Sequence, residues 1–275
     1  MTDQRVAVVT GASSGIGMET ALAYGRRGYA VVLAARREDK LAEVAREVRT
    51  LNRRCCGRDT ALVVVTDVAD ASQVRALVTQ AMEQFGRIDV MVNNAGYGQF
   101  GRVWEISDAE MRDIFQVNFF GAFYGCKAVA PVMIAQGSGH IFNISSIIGR
   151  AGSPFHGAYS ASKFALTGLT ESLRVELRPL GVHVTEVCPA LTETEFFDRV
   201  RDGEARRRSD FLRASRKMPA WKVAQKIVAR TGRYTPRLAF TAGGKLLMTL
   251  PTICPSLADR IMKIYHDDLL RSLEK

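Results

Sequence analysis

The stretch Arg5-Val-Ala-Val-Val-Thr-Gly-Ala-Ser-Ser-Gly-Ile-Gly17 decides how this chain folds. Its first half, Arg5–Thr10, is short and nearly all apolar, the pattern of a strand buried on both faces. Its second half places Gly11, Gly15 and Gly17 at Gly-x-x-x-Gly-x-Gly spacing, just before a helical pattern over Met18–Gly28 that ends at a glycine. Glycines between strand and helix permit a tight turn and let backbone approach a pyrophosphate. The helix N-terminus then offers N–H groups to the anion. Gly11, Ser13, Ser14, Gly15, Ile16 and Gly17 are therefore the candidate phosphate cradle of a dinucleotide site. The spacing is not the commoner Gly-x-Gly-x-x-Gly.

The same rhythm continues outward. Strands are expected at Ala30–Ala35, Ala61–Thr66, Ile88–Asn93, His140–Ser145 and Val182–Val187, with a seventh at Arg237–Thr241. Helices are expected at Glu38–Leu51, Ala71–Phe85, about Asp108 to Gln136, and Ala158–Leu180. Apolar strands alternating with helices imply a doubly wound α/β fold of Rossmann type with a parallel sheet. One such domain is expected over residues 1–242, followed by an amphipathic helical extension over 243–275. Asn52–Asp59, which contains Cys55 and Cys56, reads as a solvated loop before the third strand.

Cofactor choice is read at the end of the second strand, where a carboxylate would accept hydrogen bonds from the ribose of NAD. Here the strand ends Ala34-Ala35-Arg36-Arg37. A guanidinium fork suits a 2′-phosphate, so NADP(H) is expected over NAD(H). The alternative is that Arg36 and Arg37 are ordinary surface charges. Asp67-Val68, ending the third strand, can meet the adenine amino group.

Tyr159 and Lys163 are four apart, hence on one helical face, and Ser146 precedes Tyr159 by 13 residues at the carboxyl end of the fifth strand. Ligands sit at that edge of an open α/β sheet. A tyrosine ordinarily titrates near ~10. A neighbouring ammonium and a positive nicotinamide ring are expected to lower that value, letting Tyr159 exchange a proton with a carbonyl or alcohol oxygen. Ser146 would hold that oxygen and Lys163 would also reach the ribose. Asn118, polar on a largely apolar helix, asks for a partner, such as a water that feeds protons to Lys163.

At these residues the chain resembles the short-chain dehydrogenase/reductase family, in its compact single-domain branch, over about residues 5 to 242. The carriers are Thr10-Gly-x-x-x-Gly-x-Gly17, Asn93-Asn94-Ala95-Gly96, Asn118, Ser146 and Tyr159-x-x-x-Lys163, in that order. The resemblance implies a catalytic tetrad of Asn118, Ser146, Tyr159 and Lys163. It places Asn93, Ala95 and Gly96 beside the adenosine, Pro189 with Thr194 near the nicotinamide, and Thr192 among the cofactor contacts. It also implies a homodimer or homotetramer built on the two long helices. One departure is Pro189-Ala190, where the family usually has Pro-Gly.

The implied activity is hydride transfer between NADP(H) and a carbonyl or secondary alcohol. The rival is an NADP-binding sensor or scaffold with little chemistry, which would have no need of Tyr159 and Ser146 together. Residues expected to face the substrate are Tyr97, Ile147, Phe155, His156, Leu191, Phe196 and Phe197, mostly apolar, which favours a hydrophobic molecule. His156 could instead be a loop histidine.

Composition sets the bounds. The chain has 275 residues, 47% hydrophobic and 24% charged, with a net charge of +10. That field favours anionic ligands without naming one, and no basic helix with interleaved aromatics suggests nucleic acid. The five cysteines form no CxxC pair, so neither a disulfide framework nor a metal site is expected. Cys55-Cys56 could be a redox pair or simply two thiols. No run approaches the roughly 18–20 apolar residues of a spanning helix. No apolar segment precedes the first strand, so no signal peptide is expected and the cytoplasm is the default location.

Arg199–Lys217 holds eight basic residues against three acidic ones. It reads either as a lid that greets an anionic carrier such as a coenzyme A thioester or as a solvated, salt-bridged face. The extension carries two apolar groups, from Leu246 to Ile253 and from Leu257 to Leu270, divided by Pro251 and Pro255. It could cap the substrate pocket, pack on a partner subunit, or lie on a membrane surface.

Overall fold

The computed structural model describes residues 4–192 and 217–273. Seven parallel strands form one sheet in the order β3-β2-β1-β4-β5-β6-β7. They are β1 (Val6–Thr10), β2 (Ala30–Ala35), β3 (Ala61–Val65), β4 (Val90–Asn93), β5 (Gly139–Ile144), β6 (Val182–Cys188) and β7 (Arg237–Ala239). The strands are apolar at nearly every position because helices cover both faces. Ala7, Val9, Val31 and Leu33 face α1 (Gly15–Gly25), α2 (Glu38–Cys56) and α7 (Ala220–Arg230). Val6, Val8, Ala30 and Val32 face α3 (Ala71–Phe85), α5 (Gly121–Gln136) and α6 (Gly157–Leu177).

After β3 the chain crosses over to lay β4 on the other side of β1. Strand order reverses there, and open α/β sheets bind ligands in the crevice outside the strand ends at that switch point. The register Val9↔Val92 sets Gly11 beside Asn94.

The strands agree with the sequence expectation to within two residues, and three helical regions depart furthest from it. Helix α1 begins at Gly15, before Met18, and ends at Gly25. Helix α2 runs past Leu51 to Cys56, so most of the expected loop is helix. Asn52 explains this. It is fully buried, and its Nδ2 donates to the Tyr29 carbonyl at 3.0 Å, tying the last turns to β2. Gly57, at φ 67°, then ends the helix in the left-handed region. Cys55 and Cys56 stand free and exposed on the final turn.

The third difference lies in the long stretch from Asp108. It comprises α4 (Asp108–Phe115), a π turn at Gln116–Phe120, and α5. A capping box between Ser107 and Glu110 starts it. Against expectation, 108–136 is long and apolar enough to cross a membrane, with mean hydropathy 1.3 over an 18-residue window. Cys126, Val129 and Met133 on α5 are nevertheless buried in the core beneath β4 and β5. The inward face of the helix is apolar because it forms a layer of the fold.

After β7 the chain forms α8 (Ala242–Ile253) and α9 (Pro255–Leu273), a helical hairpin packed on itself and on the segment after β5. Thr241 caps α8, its Oγ1 accepting from Gly244 N at 3.0 Å.

Candidate active site

One cavity of ≈ 690 Å³ runs along the carboxyl edge of the sheet, from Gly11 to the C-terminal hairpin. Its first wall is the glycine turn. Gly11 and Gly15 adopt φ 64° and 56°, which glycine reaches without penalty. A Cβ on Gly11 would lie 2.8 Å from Asn94 Nδ2 and 2.9 Å from Ala95 Cα. Asn94 donates to the Thr10 carbonyl at 2.9 Å, while Thr10 Oγ1 accepts from Asn94 N and Ala95 N. The ends of β1 and β4 are thereby locked together. Ser13, Ser14, Gly15 and Ile16 line the cavity, and no side chain caps the start of α1. That leaves an anion-ready helix terminus.

Two expected contact residues, Gly17 of the cradle and Asn93 beside the adenosine, lie behind the wall. Gly17 is buried, and a Cβ there would sit 2.3 Å from Gly11 O. Its part is to let α1 pack on the turn. Asn93 does not reach the cavity. It is buried in β4 and donates to Asn143 Oδ1 at 2.8 Å, because alternation along the strand turns it toward α5 and β5. Asn94, Ala95 and Gly96 line the cavity in its place.

Arg36 and Arg37 both line the cavity. Arg37 Nη2 donates to Ser14 Oγ at 2.9 Å and Ser13 Oγ at 3.2 Å, so its guanidinium lies across the cradle. Arg36 reaches Asp67 at 3.7 Å. Asp67 and Val68 follow β3 at the same wall. Two guanidinium groups beside an uncapped helix start make this end of the cavity suited to an anion.

Further along lie Ser146, Tyr159 and Lys163. Ser146 follows β5, and its Oγ accepts from Ile148 N at 3.3 Å. Its hydroxyl also hydrogen-bonds the Tyr159 phenol. Tyr159 and Lys163 project from the first turns of α6, with Lys163 Nζ 5.8 Å from the Tyr159 ring centroid. Lys163 is buried and donates to the Ile144 carbonyl at 2.8 Å.

Burial dominates the electrostatics here. It pulls the Lys163 ammonium down to about 8. It pushes the Tyr159 phenol above its ordinary value, against the hydrogen bond from Ser146. The expected lowering of Tyr159 is therefore not a property of the protein groups alone. The ammonium sits over the ring face, and desolvation is the largest influence on the phenol.

Asn118 lies in the π turn, a feature frequent at functional sites. Its Oδ1 accepts from Tyr97 N at 3.0 Å and its Nδ2 donates to Tyr97 O at 2.9 Å and Ser162 Oγ at 3.2 Å. The partner the sequence called for is thus the Tyr97 backbone. A Cβ on Gly96 would meet Asn118 Oδ1 at 2.9 Å and Lys163 Nζ at 3.5 Å, so this glycine lets both side chains approach the turn, Lys163 at the cavity wall and Asn118 buried behind it.

Pro189, Ala190, Leu191 and Thr192 close the next side. Ile147 N donates to Pro189 O at 3.2 Å and Thr192 Oγ1 to Ala190 O at 2.7 Å, so Ala190 is accommodated in a well-bonded turn. Thr194, Phe196, Phe197 and most of the basic segment lie outside the described residues.

Tyr97, Ile147, His156 and Leu191 line the cavity as expected. His156 is buried, its Nδ1 3.0 Å from Pro154 O, and desolvation pulls it down to about 4, so it is neutral. Phe155 does not line the cavity. At φ 63° it is buried behind the wall, where its ring stacks on His266 of α9 at 5.3 Å. Leu247, Met262 and Tyr265 complete the wall. Their signal in the sequence was the apolar spacing of the extension, which shows amphipathic helices without showing what they cover.

The model of the short chain dehydrogenase family matches residues 5–205. The granaticin polyketide synthase putative ketoacyl reductase 1 of Streptomyces violaceoruber is 39% identical over 199 residues, 72% of this chain and 71% of that protein. Two solved structures are similar over nearly their whole lengths. A metagenomic short-chain oxidoreductase in complex with NADP has TM-score 0.71 at 32% identity, covering 85% of this chain and 95% of that one. A short-chain dehydrogenase/reductase from Burkholderia phymatum in complex with NAD has TM-score 0.75 at 31% identity, covering 97% and 94%. This chain belongs to the short-chain dehydrogenase/reductase family of Rossmann-fold oxidoreductases. The family match ends before α7, so the C-terminal hairpin lies outside it.

Proposed function

We propose that the protein is an NADP(H)-dependent oxidoreductase that interconverts a hydrophobic ketone or aldehyde and the corresponding alcohol. The observation that carries the reading is the continuity of the cavity. A cradle flanked by Arg36 and Arg37 opens directly onto Ser146, Tyr159 and Lys163. Bound NADP(H) supplies or receives the hydride.

The protein groups handle the oxygen and its proton. Ser146 donates a hydrogen bond to the substrate oxygen. Tyr159, held protonated by burial, gives that oxygen its proton in the reducing direction and takes it back in the other. The Lys163 ammonium beside the ring would stabilise the phenolate left behind, and its remaining protons would be available to the ribose. Asn118 is a positioning residue that fixes the Tyr97 backbone. Arg37, braced on Ser13 and Ser14, and Arg36 receive the 2′-phosphate, with Thr192 and Pro189 at the nicotinamide end.

The apolar lining by Tyr97, Ile147, Leu191 and the hairpin supports a hydrophobic substrate. Exposed Phe120 and Ile134 on the π turn and α5, with Phe164 and Val175 on α6, support assembly into a homodimer or homotetramer. Light scattering with size exclusion tests that assembly.

The deciding experiment titrates NADPH and NADH by fluorescence and follows NADPH absorbance with a panel of hydrophobic carbonyls. Tight NADPH binding with consumption is expected. Tight binding without consumption on any panel member would favour a sensor. Tighter binding of NADH would overturn the roles given to Arg36 and Arg37.

A further inference from the structure

The C-terminal hairpin adds a tyrosine to the cavity wall beside two apolar side chains. Leu247 of α8 and Met262 and Tyr265 of α9 line the same cavity as Ser146 and Tyr159. Helix α9 is well anchored for this role. Ala258 and Leu269, on the same face as Met262 and Tyr265, are buried, and His266 stacks on Phe155. Gly244 brings α8 close to Ile147, since a Cβ there would meet Ile147 Cγ2 at 3.2 Å.

The Tyr265 phenol has no hydrogen-bond partner among the described residues, and burial raises its pKa, so it is a neutral hydroxyl. A half-buried hydroxyl lining a pocket has unmet donor and acceptor capacity that a ligand group can satisfy. A site that hydrogen-bonds a substrate group discriminates against analogues that lack it, because the site's own polar atom is then left unpaired.

We propose that Tyr265 is a specificity-determining residue. It hydrogen-bonds a second oxygen or nitrogen of the substrate, remote from the reacting carbon, while Leu247 and Met262 hold the hydrocarbon between the two polar ends. The substrate class is a bifunctional hydrophobic carbonyl or alcohol, such as a ring system with a hydroxyl or carbonyl at each end. This rests on the reading of Ser146 and Tyr159 as the reacting end of the cavity.

The test uses matched pairs of bicyclic ketones, with and without a hydroxyl on the ring far from the carbonyl. In the full-length protein, Tyr265→Phe should raise KM for the hydroxylated ketone about tenfold and leave the plain ketone and NADPH affinity unchanged. Calorimetric titration of the matching diol and mono-alcohol onto the NADP-loaded protein should show the same selective loss. Leu247→Trp should raise KM for both ketones together.

Equal effects of Tyr265→Phe on both members of a pair, or none on either, would overturn the subsite while wild-type turnover left the oxidoreductase reading intact. If the wild type reduces no ketone, calorimetry still decides. Selective loss of diol binding supports the subsite, and equal binding by wild type and variant rejects it.

Discussion

The two ends of the cavity are built by different means. At the cofactor end, backbone makes the wall. Gly11, Gly17 and Gly96 bring main chain and side chains within distances that no Cβ would allow, and Asn94 bonds β4 to β1 through peptide groups. At the substrate end, side chains on an added helical hairpin make the wall, and several of its apolar residues, among them Leu246, Leu257 and Ile264, face outward. A wall of backbone tolerates almost no substitution and holds one shape. A wall of side chains on the periphery can change composition while the fold stands.

The sharpest way to break this contrast is at the point where the ends meet. Tyr159→Phe should lower turnover by about 10²–10⁴-fold, the range for a lost general acid, with NADPH affinity retained in a fluorescence titration. Near wild-type turnover would mean that proton transfer does not pass through this phenol.

The second test reads buried histidines at opposite edges of the sheet. His140, at the amino end of β5, bonds Gly232 N and Thr185 Oγ1, and burial pulls it from 6.5 to about 3. His156, at the cavity, is pulled from 6.5 to about 4. Both folded values lie below the unfolded one. Their stabilisation is therefore full above pH 6.5 and is lost as pH falls through the unfolded value toward the folded ones. Between pH 7 and 5 the pair should account for about 4 kcal/mol of lost stability in urea unfolding, and His140→Gln should remove about half of that slope. An unchanged slope in that variant would contradict a buried neutral His140.

Next comes the backbone wall itself. Gly17→Ala should destabilise the protein by about 1–3 kcal/mol in urea unfolding and weaken NADPH binding, because α1 must move off Gly11. Arg37→Ala should weaken NADPH by about 1.5–3 kcal/mol, roughly ten- to hundredfold, and leave NADH within about threefold in paired titrations. An equal loss for both would show that Arg37 only braces Ser13 and Ser14. The smallest effect is expected at the side-chain wall. Leu247→Ala should change stability by about 1 kcal/mol and leave both coenzymes bound as before, while altering KM across a substrate panel.

Much of this was legible from local pattern. The strand–Gly–helix unit, the Arg pair after β2 and the Tyr-x-x-x-Lys face each depend on spacings of a few residues. Other features were hidden. Strand alternation turns the Asn93 side chain into the core and leaves Asn94 at the wall, which spacing alone did not show. Helix α2 outran its expected end because Asn52 has a partner on Tyr29, 23 residues away. Phe155 belonged to the expected pocket, yet it supports the wall by stacking on His266, 111 positions later in the chain.

The sequence by itself determined the parallel α/β architecture, the glycine turn between β1 and α1, and the grouping of Ser146, Tyr159 and Lys163 at one sheet edge. Those features follow from glycine conformation, hydrophobic period and short-range helical spacing, which are local physics. Only the tertiary structure decided that Asn118 answers to Tyr97, that burial holds Tyr159 protonated, and that the C-terminal hairpin closes the cavity with Leu247, Met262 and Tyr265. Each depends on which distant segments exclude water from one another. Helix periodicity shows that a face is apolar and is silent about what it covers.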